Sequence, residues 1–353
     1  MRAVVCNSFG PVELLAIEER PQPVPGPGQV LVEVHATGVN FTDVLVAEGR
    51  SQLKRELPLT PGTEAAGRVL AVGPGVTRVK TGDRVFGTKT HGTYAEEVVF
   101  AEDEVDPIPE AMNMRDAATF YIASMNARYG LELRAKLRAG ENLLVLGAGG
   151  GVGLAAIQTG KALGAYIVAA ASSDGKLALA KAAGADALVR YDRGPLDLAA
   201  QKSFTAELLA HARKFETGGR SIGKISSVQE GAGYHVVLDG VGGTYSEPAL
   251  RALAWQGRFL SIGFAAGMAK IPLGPLLFKN ADIMGLQPSS DEHRLPGRNP
   301  EGMKALYQWY LEGKVRPHIS NVFPLEQAAA ALRMVQDRKA TGRIVLTTSR
   351  AQG

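Results

Sequence analysis

The sequence predicts an α/β protein. A doubly wound parallel-sheet domain is combined with a β-rich, barrel-like domain. Three observations carry this. Short β-branched runs broken by Gly and Pro fill the first third of the chain. Strands then alternate with helices from about residue 126. A glycine loop follows the first strand of that alternating stretch.

In chain order, MRAVVCNSFG opens as a strand, and VLVEVHATGV, AAGRVLAVGPGV and GDRVFGT follow as short strands separated by turns such as GPG and TGD. ARYGLELRAKL reads as helix. Then come ENLLVLG (strand), GLAAIQTGKALGA (helix), YIVAAAS (strand), KLALAKAAGA (helix) and ALVRYD (strand). The rhythm resumes with GYHVVLDGVGG, the helix PALRALAWQG and the strand RFLSIGF. The chain closes with helices PEGMKALYQWYLEGK and LEQAAAALRMVQDRK and the strand RIVLTT. Residues 201–230 are polar and interrupt the rhythm, which predicts an inserted helix plus a mobile loop. The expected segments are 1–125 for the first part of the β-rich domain, 126–288 for the nucleotide-binding domain, and 289–353 returning to the β-rich domain.

Composition narrows the function classes. The chain has 353 residues, 45% hydrophobic, with a net charge of +4 spread along the sequence. It is long and apolar enough for real cores. No basic stripe interleaves with aromatics, so nucleic acid is not an expected partner. One cysteine, Cys6, excludes an intramolecular disulfide framework and a multi-cysteine zinc site. No apolar run is long enough to span a bilayer, and no signal peptide is visible, so a cytoplasmic, reducing compartment is expected.

In LLVLGAGGGVGLAAIQTGKALGA, Gly147, Gly150 and Gly153 recur every third residue, and the helix is expected to begin near Gly151. One glycine permits the tight turn, one admits a pyrophosphate to the backbone, and one lets helix and strand pack. The helix N-terminus, including Gly151 and Val152, then offers free N–H groups and partial positive charge. An NAD site usually places an acid at the end of the next strand. Here Ser172 and Ser173 stand there, followed by Asp174 and Lys176. Hydroxyls and an ammonium suit a 2′-phosphate and predict NADPH, with Tyr191 adding a phenol; Asp174 turned inward would favour NAD instead. A second pattern, Tyr310-x-x-x-Lys314, mimics the catalytic pair of short-chain dehydrogenases. That family begins with its glycine loop, whereas about 140 residues precede it here.

Taken together, GPVELLAIEERPQPVPGPGQVLVEVHATGVNFTD, PGTEAAGRVLAVGPGV, GTYAEEVV, RAGENLLVLGAGGGVG, VVLDGVGG and GKVRPHISNVFPLEQAAAALRMVQDRKATGRIVL resemble the medium-chain dehydrogenase/reductase superfamily over nearly the full length. The resemblance is nearest to the zinc-independent, zeta-crystallin-like quinone oxidoreductases. It implies a GroES-like barrel catalytic domain built from both chain ends, a Rossmann domain binding NADPH, a cleft between them and a homodimer through the nucleotide-binding domains. Zinc alcohol dehydrogenases carry a cysteine ligand where Asn40 stands and Gly-His-Glu where Gly62-Thr63-Glu64 stands, so the resemblance implies no metal. It also implies Asn40 and Asp43 as catalytic residues, with Asn40 beside the nicotinamide. Asn126, Asp239, Val241, Ile262, Gly263 and Phe264 are implied near the nicotinamide by topology and resemblance.

Two departures bear on substrate. Leu45 and Ser51 replace two tyrosines of bacterial quinone reductases, and Asn126 replaces a threonine. The expected activity is therefore hydride transfer to a quinone or an α,β-unsaturated carbonyl, either enone or enoyl thioester. The alternative is a non-catalytic NADPH-binding structural or RNA-binding protein of the zeta-crystallin type.

Overall fold

The computed structural model describes residues 1–51, 55–214, 233–286 and 300–352. In chain order, the first strands are β1 (Arg2–Val5), β2 (Ala16–Glu19) and β3 (Gln29–Val39). Then follow α1 (Phe41–Ala47), β4 (Glu64–Val72), β5 (Arg84–Thr88), β6 (Glu97–Ala101), β7 (Val105–Pro107) and α2 (Met114–Arg128). The alternating stretch comprises β8 (Asn142–Leu146), α3 (Gly151–Ala162), β9 (Tyr166–Ala171), α4 (Asp174–Ala182), β10 (Ala187–Arg190), α5 (Leu198–His211), β11 (Tyr234–Asp239), α6 (Ser246–Arg251), β12 (Leu253–Ser261), α7 (Gly274–Lys279) and β13 (Asp282–Gly285). The chain ends with α8 (Pro300–Leu311), β14 (Ile319–Pro324), α9 (Ala328–Gln336) and β15 (Arg343–Thr347).

Two compact units result: Met1–Ile122 with Gly297–Gly353, and Ala123–Pro296. In the first unit a sheet runs β14-β15-β3-β4-β5-β7, with β6 also paired to β3. β15, from the far end of the chain, lies antiparallel to β3 with Ile344 opposite Val39. That register brings Arg343 beside Asn40. β4 flanks the other side of β3 with Thr37 opposite Ala65, so Glu64 arrives next to Gly38. A Cβ on Gly38 would lie 2.5 Å from the Glu64 carboxylate, so the glycine leaves room for that side chain. Val30, Val32, Val34, Val69, Val85 and Phe100 fill one core of this unit.

The second unit is a six-stranded, all-parallel sheet in the order β10-β9-β8-β11-β12-β13. The order reverses between β8 and β11, which is the topological switch point where doubly wound folds bind ligands. Both faces are covered. One core gathers Leu143, Val145, Leu154, Ile157 and Ile167. The other gathers Leu144, Leu146, Phe204, Leu208, Tyr245 and Leu250.

Two sequence expectations change. The helix expected as an insertion from residue 201 is α5, which starts at Leu198 and buries Phe204 and Leu208. It is the crossover between β10 and β11 and belongs to the βα rhythm; its polar exposed face disguised it. The loop expected within 201–230 falls largely on residues 215–232, outside the described residues. The helix expected over PALRALAWQG stops at Arg251, and Leu253 onward is already strand β12.

Candidate active site

The carboxyl ends of the second unit's strands share one edge. Leu146 is level with Ala170 and Asp239, Ala171 with Arg190, and Asp239 with Ser261. The residues that follow, Gly147, Ser172, Tyr191, Gly240 and Ile262, therefore emerge together. Positions up to about 115 residues apart in sequence converge there because every strand is parallel and in register.

The glycine loop has the geometry its spacing predicts. Gly147 turns the chain at φ +75°. Gly150 is the N-cap of α3, and no side chain caps that helix. A Cβ on Gly150 would meet only the Gly147 carbonyl, at 3.5 Å, and the first-turn amides of Gly151, Val152 and Gly153 follow it. These are donors the helix itself cannot satisfy. At Gly153 a Cβ would lie 2.4 Å from the Gly147 carbonyl oxygen and 2.8 Å from Ala148 Cα. Only a hydrogen fits where helix meets turn. Gly149, which the spacing argument passed over, lies under the stem of Lys176: a Cβ there would sit 2.5 Å from that stem. The Lys176 side chain thus crosses the loop.

Ser173 caps α4, its hydroxyl accepting the Lys176 N–H at 3.4 Å. Ser172 accepts from Arg193 Nε at 3.4 Å. Asp174 faces Arg190, with both carboxylate oxygens 3.3 Å from its guanidinium. Both side chains are exposed, so this is a surface ion pair. Tyr191 packs its ring 4.8 Å from Tyr245 and 5.9 Å from Phe204.

Asp239 ends β11 at this edge. It is buried. Its Oδ1 accepts the N–H groups of Val241 (2.8 Å) and Gly242 (2.9 Å), and its Oδ2 accepts the Ser246 hydroxyl. The carboxylate is spent shaping the loop after β11, and burial pushes its pKa up. That loop is zipped to the one after β12: Ile262 N–H donates to the Asp239 carbonyl at 3.0 Å and Ala266 N–H to the Val241 carbonyl at 2.6 Å. Val241 is left against Gly147, and Phe264 stays partly exposed. Asn126 lies, half-buried, in the last turn of α2.

In the first unit Asn40 and Asp43 belong to a buried polar cluster. Asn40 Nδ2 donates to Glu64 Oε1 at 2.9 Å and to Thr63 Oγ1 at 3.2 Å, and its Oδ1 accepts from Arg343 at 2.8 Å. Arg343 also pairs with Glu64, both side chains almost wholly buried. Asp43 is the N3 residue of α1; its Oδ2 accepts the Asn40 N–H and the Tyr94 hydroxyl, each at 2.8 Å. Burial, opposed by those two hydrogen bonds, pushes the Asp43 carboxyl up to about 7. Both amide hydrogens of Asn40 are directed inside this cluster, to Glu64 and Thr63. Glu64 and Arg343 escaped the sequence argument. The signal was the Gly62-Thr63-Glu64 triplet, read for its missing histidine rather than for its retained acid. Tyr310 is buried with its hydroxyl on Asp116 Oδ2 at 2.6 Å, a structural role that disposes of the Tyr310–Lys314 pair.

A parallel sheet with a glycine cradle at its switch point, in a chain whose two ends build one β unit, is the construction of a medium-chain dehydrogenase/reductase. Residues 26–110 match the alcohol dehydrogenase GroES-like domain, and residues 151–296 match the zinc-binding dehydrogenase domain. The chain is similar to quinone oxidoreductase-like protein 2 of Bos taurus, 37% identical over 98% of this chain and 92% of that one. It is 33% identical, over 93% of this chain and 14% of the other, to a mycocerosic acid synthase-like polyketide synthase of Mycobacterium tuberculosis. The solved Escherichia coli quinone oxidoreductase complexed with NADPH superposes with a TM-score of 0.82 at 26% identity, covering 98% of this chain and 100% of that one. The chain belongs to the quinone oxidoreductase family of that superfamily.

Proposed function

We propose that the protein is an NADPH-dependent, zinc-independent reductase acting on a quinone or an α,β-unsaturated carbonyl. The observation that carries this is the shared carboxyl edge, where the first-turn amides of α3 emerge on the same side of the sheet as Ser172, Ser173 and Lys176. The residues fit the cofactor. The α3 amides and its positive end would hold the pyrophosphate, Ser172, Ser173, Lys176 and Tyr191 the 2′-phosphate, and Val241 with Ile262, Gly263 and Phe264 the nicotinamide end. The reduced nicotinamide supplies the hydride when bound. The likeness to a quinone oxidoreductase complexed with NADPH supports the same reading.

The buried cluster supports the choice of acceptor. Asn40, Thr63 and Glu64 hold one another and Arg343, and among the described residues no group of three or more His, Cys, Asp or Glu is arranged to hold a metal. A saturated carbonyl concentrates developing charge on one oxygen, which a strong electrophile must meet. A quinone or enone spreads that charge, so fewer donors suffice. Likeness to a segment of a polyketide synthase keeps an enoyl thioester in the substrate class.

We also propose a homodimer through the nucleotide-binding unit. β13 ends the sheet, and Trp255, Leu273, Leu277, Phe278 and Ile283 are exposed in the β12–β13 region. An edge with no further strand among the described residues, rimmed by large apolar side chains, suits a second copy of itself. Among the described residues no helix is long and apolar enough to cross a membrane.

The activity is tested with C4-deuterated NADPH and a panel of quinones, enones, enoyl thioesters and saturated aldehydes. The expected result is deuterium on the β-carbon of an enone or enoyl thioester, or NADPH oxidation by a quinone, and no stoichiometric zinc in the purified protein. Faster reduction of simple aldehydes than of every conjugated acceptor would overturn the mechanism.

A further inference from the structure

The loop after β10 runs Tyr191-Asp192-Arg193-Gly194, and it is gripped on both sides of Arg193. The hydroxyl of the buried Tyr245 lies 2.5 Å from the Asp192 carbonyl and 2.7 Å from the Gly194 carbonyl, which share its hydrogen. The Tyr245 ring packs against Tyr191 one step earlier in the loop. Arg193 is exposed, yet its backbone is fixed, and its Nε points to Ser172 Oγ at 3.4 Å. That contact ties the end of β10 to the end of β9. At the same edge Lys176 crosses Gly149, and Arg190 pairs with Asp174.

We infer that Arg193 is a specificity-determining residue for the cofactor: with Ser172 and Lys176 its guanidinium binds the 2′-phosphate monoester, and Tyr245 is the residue that positions it. The inference rests on the NADPH reading above. The chemistry favours it. A guanidinium offers a planar fork of donors that matches phosphate oxygens. The neutral hydroxyl of Ser172, held at the long end of hydrogen-bond distance, is a weak partner that a phosphate dianion would outcompete while still accepting from Ser172 itself. Lysine and arginine then divide the work, one reaching across the glycine loop and one from the neighbouring strand end.

The test is equilibrium binding, without turnover, of NADPH, NADH and 2′,5′-ADP to the full-length wild type, Arg193→Ala, Arg193→Lys, Tyr245→Phe and Lys176→Ala, with a thermal melt of each variant. Arg193→Ala should weaken NADPH and 2′,5′-ADP by about tenfold or more, as expected for loss of a charge-assisted contact. NADH should stay within about twofold, and the salt dependence of NADPH binding should become shallower. Arg193→Lys should restore part of the loss, and Tyr245→Phe should weaken NADPH by a smaller factor while sparing NADH. If Arg193→Ala leaves NADPH unchanged while Lys176→Ala weakens it, the role of Arg193 is wrong and the NADPH reading stands. Equal weakening of NADH and NADPH by Arg193→Ala would mark a structural effect and also overturn the role. A wild type that binds NADPH no tighter than NADH would remove the NADPH reading itself.

Discussion

Tyr94 donates its hydroxyl to Oδ2 of Asp43 at 2.8 Å, between two side chains that are both wholly buried. The same oxygen takes the Asn40 N–H, while Oδ1 has no hydrogen-bond partner among the described residues. Burial therefore dominates, and the carboxyl rises from 3.8 to about 7.

Stability should follow that shift. A carboxyl whose folded pKa is raised binds more protons folded than unfolded between the two values, so it favours the fold at low pH. That contribution is lost as pH rises from about 4 to about 7. Asp43→Asn should abolish this component. In urea denaturation, wild-type stability relative to Asp43→Asn should fall between about pH 4 and about pH 7 and level off above. Parallel profiles would mean that Asp43 stays ionised throughout. Tyr94→Phe, which removes one donor, should cost roughly 1–3 kcal/mol.

Glu64 and Arg343 come from strands on opposite sides of β3, and their pairing joins the two ends of the chain. Removing one partner strands a buried charge. Glu64→Ala or Arg343→Ala should each destabilise by roughly 3–5 kcal/mol. The double variant Glu64→Leu, Arg343→Met should be far less destabilised than the sum of single losses. A double-mutant cycle on chemical denaturation measures this, and additive losses would deny the coupling.

Much of this architecture was legible. The βα alternation from Asn142 onward and the glycine spacing both carry periodic signals, and the positions expected at strand ends do converge on one edge. What escaped detection was non-local. Nothing near Asn40 in sequence announces Arg343, which arrives 303 residues later through strand register alone. Asp239 was legible as a strand-end acid, but only the structure shows its oxygens turned onto its own loop. Helix α5 was misjudged as an insertion because its exposed face is polar and only Phe204 and Leu208 are fully buried.

The glycines of the cradle should separate affinity for every dinucleotide from selectivity for the 2′-phosphate. Gly153→Ala sets a methyl 2.4 Å from a backbone oxygen, which cannot yield without moving the turn. It should cost about 1–3 kcal/mol of stability, the usual range for overpacking, and weaken every dinucleotide. Gly149→Ala sets a methyl 2.5 Å from Cβ and Cγ of Lys176, and that Cβ is anchored to α4, so the loop or the helix start must shift. It should also lower the melting temperature, but it should weaken NADPH more than NADH by displacing the ammonium. Thermal melts and cofactor titrations of both variants check this; equal behaviour would show that Lys176 does not depend on Gly149.

The free edge of the parallel sheet gives the last prediction. β13 pairs on one side with β12, and its other side has no strand partner among the described residues. Leu277 and Phe278 on α7 are 79% and 66% exposed, and Trp255 on β12 is 56% exposed, so water meets a broad apolar surface in each separate chain. Burying a large apolar side chain is worth roughly 1.5–3 kcal/mol, so several such residues from each copy together offset an association cost of roughly 4–15 kcal/mol. Light scattering should find twice the 37.3 kDa chain mass. Leu277→Glu with Phe278→Glu would place charges in that contact and should yield a folded monomer that still binds NADPH, because α7 supplies none of the cradle. A wild type that is monomeric at every concentration would refute the interface, as would an unchanged dimer in the charged variant.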